Sequence, residues 1–256
     1  MKITAVIITL NEEKNIGRCL ASLGAVVDEV IVVDAGSKDR TREICVAAGA
    51  TWVEQPWLGY GGQKNFANSL ATTPYILSID ADEALSSELS ASILAAKGKL
   101  RGAYSMNRKT NYCGDWVAHS GWYPDRKVRL FPAGGASWNL SEVHEQLELG
   151  AGIEQIHLAG DLHHYSYYTV EEHRERTRKY AHLQAKALAL KGGRMSLWHR
   201  WVKPVYTFVR VLLLRNGWLD GQAGWNIARI SAWGTAERYR ELGRIRAKKS
   251  QGNAPA

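Results

Sequence analysis

Several things are scarce in this sequence, and each scarcity excludes something. Of 256 residues only three are cysteine. Cys19, Cys45 and Cys113 show no CxxC or comparable ligand spacing, so neither a disulfide framework nor a cysteine zinc site is expected. They read as reduced, small buried side chains. No apolar stretch approaches the roughly 20 residues needed to span a bilayer. The N-terminal apolar run from Ile3 to Leu10 is ended at once by Asn11-Glu12-Glu13-Lys14 and has no small-residue cleavage site. Its β-branched content makes it a strand rather than a signal peptide. A soluble or peripheral protein of cytoplasmic type is expected. With 45% hydrophobic and 23% charged residues, the composition is that of a folded chain with a sizeable core.

Acidic residues are scarce in one place only. Residues 1–172 hold 15 Lys/Arg against 21 Asp/Glu, whereas residues 173–256 hold 18 against four, a balance of +14. The whole net charge of +8 therefore belongs to the last third. A cationic region of this kind seeks phosphate, whether on nucleic acid, on an anionic membrane surface or on an acidic substrate.

The first hundred residues alternate between two periodicities. Ile3–Thr9, Val30–Val33 (ending at Asp34), Thr51–Val53 and Tyr75–Ile79 read as buried strands. Between and after them, residues 11–23, a segment capped by Ser37 and running to Ala48, 63–71 and a segment capped by Ser86 or Ser87 and ending near Gly98 read as helices. This alternation predicts an α/β fold with a mostly parallel sheet flanked by helices, whose ligands sit beyond the carboxyl ends of the strands. Asn11-Glu12, Asp34 and Asp80-Ala81-Asp82 fall at three such ends. Strands are also expected at 103–107 and 127–131, with a Trp/Tyr-rich loop between them. From Val170 the pattern turns helical, and the tail from Ala247 is polar and frayed. We therefore expect a catalytic domain over 1–168, split into a nucleotide-binding half (1–100) and an acceptor half (101–168). A basic helical region over 169–246 and a disordered end over 247–256 would follow.

Asp80-Ala81-Asp82-Glu83 is the sharpest feature. Two carboxylates one residue apart, just past a buried strand, are hard oxygen ligands of the kind that hold Mg²⁺ or Mn²⁺ against a substrate's phosphates. An isolated D-x-D is more often a solvated turn. Here it follows the fourth strand, after VIITLNEEKNIGRCLASL, EVIVVDAGSKDRT and KNFA, and itself reads SIDADE. This ordered set resembles family 2 glycosyltransferases of the Rossmann-like GT-A fold. Farther on, GWYPDRKVRLF, EVHE, HHYSY and GWLDG resemble bacterial lipopolysaccharide inner-core glucosyltransferases.

The resemblance implies inverting hexosyl transfer from a nucleoside diphosphate sugar, UDP-glucose in the inner-core subgroup, with a divalent metal. It implies that Thr9, Asn11, Glu12, Asp34, Lys64 and Asp80 line the nucleotide sugar. Asp82 would be the principal metal ligand, with Asp80 and His164 as further ones. Inversion needs a carboxylate within about 2.6–3.2 Å of the acceptor hydroxyl. The EVHE segment offers Glu145, with Glu142 as runner-up and His144 beside them. Trp122, Arg126 and Arg129 are acceptor-side candidates, the arginines being either phosphate clamps or decoration of an exposed edge. Trp198, Trp201, Tyr206, Phe208, Trp218, Trp225 and Trp233 alternate with arginines. They either form an interfacial segment on anionic lipid or pack as an ordinary helical subdomain.

The expected partners are a UDP-hexose, a lipid-linked saccharide and the inner face of the plasma membrane, without nucleic acid. An enzyme acting on another lipid-linked or capsular glycan shares the donor half. A basic nucleic-acid-binding protein is the alternative of another class, but no helix-turn-helix, RRM or KH pattern is present. A dinucleotide oxidoreductase lacks its G-x-G-x-x-G after the first strand.

Overall fold

Strand β1 (Ile3–Thr9) is apolar on both sides because it lies between two strands and under helices on both faces. Ile3, Ala5 and Ile7 join one core cluster and Val6 joins the other. The computed structural model describes residues 1–140, 146–193, 196 and 198–252, without the side chains of 248–252. Strands β1, β2 (Glu29–Asp34), β3 (Thr51–Glu54) and β4 (Tyr75–Asp80) pair in parallel in the order β3-β2-β1-β4. Since β1 is flanked by β2 and β4, the strand order reverses there, which opens a crevice at its carboxyl end.

Helices α1 (Ile16–Leu23), α2 (Thr41–Ala47) and α3 (Tyr60–Ser69) connect these strands, and α4 (Ser87–Lys97) follows β5 (Glu83–Leu85). Ile16, Cys19 and Leu23 of α1 pack with Leu89 and Ile93 of α4 on one face of the sheet, and Phe66 and Ala67 of α3 pack on the other. Ser86 caps α4 by accepting from the Leu89 amide at 3.1 Å.

The sheet continues through β6 (Ala103–Tyr112), β7 (Asp115–Trp116) and β8 (Asp125–Pro132), while β9 (Ala136–Trp138) and β10 (Leu147–Leu149) form a separate ribbon. With β11 (Gln155–Tyr167) the complete order is β3-β2-β1-β4-β8-β6-β11-β5, and β7 pairs with β6. The β4–β8, β6–β8 and β5–β11 pairs are antiparallel.

Three local expectations change. The helix expected from Asn11 starts at Ile16, because Asn11 adopts a left-handed conformation (φ 55°) and bonds to the next loop. Ser37 does not cap α2, since its hydroxyl donates to Asp34 and the helix begins only at Thr41. The HHYSY segment with His163 and His164, where no strand was expected, lies inside the long strand β11.

The chain divides into two compact units, Met1–Lys109 with Pro124–Tyr165, and Thr110–Tyr123 with Ser166–Ala256. The second contains α5 (Val170–Leu190), α6 (Lys203–Val209) and α7 (Gly221–Gly252). Thr169 and Glu172 form a capping box at the start of α5. Its core is Tyr112, Val117, Val211, Ala223, Ile227 and Ala228, joined by Trp122 and Tyr167. Gly234 lets α7 approach α5, since a β-carbon there would stand 2.4 Å from Thr177 Cγ2.

Candidate active site

The carboxyl ends of β1, β2 and β4 carry Thr9, Asp34 and Asp80 side by side, in register Thr9 with Asp34 and Ile8 with Asp80. Asp34 is buried and builds its own turn. One oxygen accepts the Gly36 and Ser37 amides at 2.8 and 2.7 Å, and the other accepts the Ser37 hydroxyl. The Asn11 amide donates to Ser37 Oγ at 2.8 Å, and Asn11 Oδ1 accepts the Lys38 amide at 2.8 Å. Glu12 adds a third link, from its amide to Thr41 Oγ1 at 2.8 Å. The loops after β1 and β2 are thus laced into one wall. Thr9 Oγ1 is buried in that wall without a hydrogen-bond partner among the described residues.

Asp80 sits in a nest of cations. Lys64 Nζ lies 2.9 Å from Oδ1 and Arg129 Nη2 lies 2.7 Å from Oδ2. The same Arg129 nitrogen reaches Glu83 Oε1 at 2.6 Å, and Glu83 Oε2 accepts the Asp80 amide at 3.0 Å. Arg108 extends the cluster to Glu83 at 3.5 Å and to Asp125 at 2.8 Å. Burial opposes ionisation of Asp80, but Lys64 and then Arg129 outweigh it and hold its carboxyl well below the usual carboxylate range. Burial likewise opposes the charge of Arg129, while Glu83 and Asp80 more than restore it. Trp138 covers the cations, with its ring 4.4 Å from Lys64 Nζ.

Lys64 is aimed by backbone fit. A β-carbon on Gly61, one turn earlier in α3, would stand 2.0 Å from the Asn139 carbonyl oxygen, so only glycine admits that approach. Asn65 then exchanges two bonds of 2.8 Å with the Trp138 backbone.

Asp82 is the carboxylate left for a ligand. Its carbonyl accepts the Tyr165 amide at 2.9 Å, and its Oδ2 lies 3.2 Å from His164 Nε2. Strand β11 therefore holds Asp82 through its main chain and presents an imidazole beside it. The other ring nitrogen, His164 Nδ1, is buried with no partner among the described residues. A hard oxygen and an imidazole nitrogen this close suit Mn²⁺ better than Mg²⁺, which takes oxygen ligands. Among the described residues no third His, Cys, Asp or Glu joins the pair.

The structure thus brings Thr9, Asn11, Glu12, Asp34, Lys64, Asp80, Asp82, Arg129 and His164 into one unit. Arg129 is neither an exposed edge residue nor free for a phosphate, being buried between Asp80 and Glu83. Arg126 is exposed on β8. Trp122 belongs to the second unit, in an aromatic cluster with Tyr112, Tyr167 and His173. Glu142, His144 and Glu145 lie outside the described residues. Sequence reading assigned no role to Glu83 or Arg108. Alternation would have found Glu83, which starts the short strand β5 as the buried register partner of His164.

Comparison with known proteins gives the family. The model of the family described as "Glycosyl transferase family 2" matches residues 4–133. An uncharacterized glycosyltransferase of Rickettsia typhi is 32% identical, over 96% of this chain and 87% of its own. The lipopolysaccharide core biosynthesis glycosyltransferase LpsC of Rhizobium meliloti is 31% identical, over 88% of this chain and 85% of its own. Among solved structures, glucosyl-3-phosphoglycerate synthase of Mycobacterium tuberculosis is 24% identical over 43% of this chain and 44% of its own, with a TM-score of 0.36.

Proposed function

The chain belongs to glycosyltransferase family 2, and from that premise we propose that it moves glucose from UDP-glucose onto an inner-core sugar of lipopolysaccharide, inverting the anomeric centre. The observation that carries the reaction is the Asp82–His164 pair beside the caged Asp80. The LpsC relative supports the choice of acceptor. Its lipid anchor would bring the enzyme to the inner face of the plasma membrane. Among the described residues no helix is long and apolar enough to cross one.

Asp82 and His164 would hold the divalent cation, and Asp80 shapes the adjacent wall. When bound, that ion supplies Lewis-acid stabilisation of the departing diphosphate. Lys64 and Arg129 keep Asp80 ionised and fixed, so the pocket does not reorganise as charge develops on the leaving group. Thr9, Asn11, Glu12 and Asp34 line the nucleotide, Thr9 with a hydroxyl that has no partner among the described residues and Asp34 through the turn it organises. Glu145, or Glu142 in its place, takes the proton of the acceptor hydroxyl as that oxygen attacks the anomeric carbon from the side opposite the diphosphate.

The test is donor binding and slow hydrolysis with Mn²⁺ or Mg²⁺, comparing UDP-glucose with other UDP-, GDP- and ADP-sugars and using Asp82→Ala as control. Metal-dependent turnover of UDP-glucose that disappears in Asp82→Ala is expected. Absence of nucleotide-sugar binding with either metal would overturn the reading, and preference for another sugar would reassign the donor.

A further inference from the structure

The π-helical turn Trp198–Val202 and the first turn of helix α6 are amphipathic in the wrong sense for a globular subdomain, before the chain returns to ordinary packing at Phe208 and Val211. Trp198, Trp201, Val202, Val205 and Tyr206 recur at i, i+3, i+4, i+7 and i+8, the spacing of a stripe that a surface helix normally buries. Here every member faces solvent, from 41% exposed at Val202 to 64% at Trp201 and Val205. Toward α7 the contacts up to Thr207 are polar, and apolar packing takes over only at Phe208 and Val211. His199 stacks on Tyr239 at 4.7 Å, Lys203 Nζ donates to the Tyr239 hydroxyl at 2.7 Å, and Thr207 and Thr235 pair at 3.4 Å. Leu213, Leu214, Trp218 and Leu219 extend the exposed apolar surface beyond the helix.

Charge identifies what covers this surface. From Arg176 to Leu219 the chain has ten Lys/Arg and no Asp or Glu. A soluble partner or a second copy would need a strongly acidic face, whereas an anionic bilayer offers both a phosphate plane for the cations and an apolar interior for the stripe. Trp and Tyr are the side chains that settle at that boundary.

We propose that residues 198–219 form an in-plane docking element. In it the Trp198–Trp201–Val205 stripe enters the headgroup–acyl boundary of an anionic leaflet while Arg200 and its neighbouring cations engage lipid phosphate. The inference deepens the lipid-linked-acceptor reading and rests on it for its purpose. The docking itself is measured without donor or acceptor, so the two fail separately.

The experiment uses the full chain with vesicles of phosphatidylglycerol and phosphatidylcholine, against pure phosphatidylcholine and against free glycerol phosphate as competitor. Co-sedimentation with the anionic vesicles is expected, with tryptophan fluorescence quenched by lipids brominated on the acyl chain. The triple variant Trp198→Ser/Trp201→Ser/Val205→Ser is expected to lose about tenfold or more in partitioning. Its circular dichroism and metal-dependent donor hydrolysis should stay at the parent's level.

Three results would overturn the proposal. The first is no pelleting by a protein that hydrolyses donor. The second is pelleting abolished by free glycerol phosphate, or left without acyl-chain quenching, which would mean a phosphate site without insertion. The third is a parent dimer that the triple variant dissolves, which would make a second copy the occupant. If the triple variant does not fold, acyl-chain quenching of the parent protein decides alone.

Discussion

The two units use the same residue types in opposite ways. In the first, Lys64, Arg129 and Arg108 are drawn inward against Asp80, Glu83 and Asp125, and Trp138 is buried over them. In the second, cations and tryptophans are left outside, as at Arg200, Trp198, Trp201 and Trp218. The difference is one of supply. Residues 1–172 contain more acids than bases, so a buried cation finds a partner, whereas the last third has 18 bases for four acids. An unpartnered charge cannot be buried at acceptable cost. A paired cation becomes part of a pocket, and an unpaired one becomes part of a surface that seeks its partner elsewhere.

The contrast can be broken most severely at the site itself. Asp82→Ala is expected to lower metal-dependent donor hydrolysis by about a hundred- to a thousandfold, read as UDP release, with little change in melting temperature. The ion cluster should behave in the opposite way. Glu83→Ala leaves Arg129 buried with Asp80 alone and should cost about 3–5 kcal/mol in urea unfolding. Replacing Arg200, an exposed cation of the second unit, by Gln should leave the urea midpoint unchanged.

Acid separates the units as well. Burial first, and Arg176 second, hold His173 neutral and push it down to about 4. The unfolded chain therefore takes up that proton first. The stability His173 contributes is complete above about pH 6.5 and is lost as the pH falls toward 4, about 3 kcal/mol in all. Asp80 also loses its contribution as the pH falls, but over a lower range. Its depressed carboxyl keeps its contribution down through the ordinary carboxylate range and loses it only below. Near-ultraviolet circular dichroism between pH 7 and 4 should therefore report early loosening around Trp122, and His173→Gln should abolish the dependence. The smallest losses expected are at the caps. Ser86→Ala in the first unit and Thr169→Ala in the second should each cost about 1 kcal/mol by thermal unfolding.

What could be read from the sequence follows from burial. Strands β1, β2 and β4 are covered on both faces and announce themselves as continuous apolar runs ending in polar residues, so the rim of Thr9, Asp34 and Asp80 was legible. Strand β11 was not. Its Gln-Ile-His-Leu-Ala-Gly-Asp run mixes polarity, and Gly160 reads as a turn signal. The glycine is there for contact instead, since a β-carbon would stand 2.3 Å from the Leu89 amide at the start of α4. His164 was found by motif, but its position beside Asp82 required the β5–β11 register. The outward stripe was also out of reach. Its helical period is plain in the sequence, yet period alone cannot say which face of a helix is buried.

The lacing of Asn11 to Ser37 and Lys38 carries a consequence for how the molecule assembles. Those bonds join residues 26 and 27 positions apart, so the turn at Asn11 finds its partners only in the loop after β2. This wall cannot form as a local event after β1; it must wait until β2 has closed against it. In native-state hydrogen exchange the amides of Asn11 and Lys38 should then open together, as one cooperative unit with the first parallel strand pair.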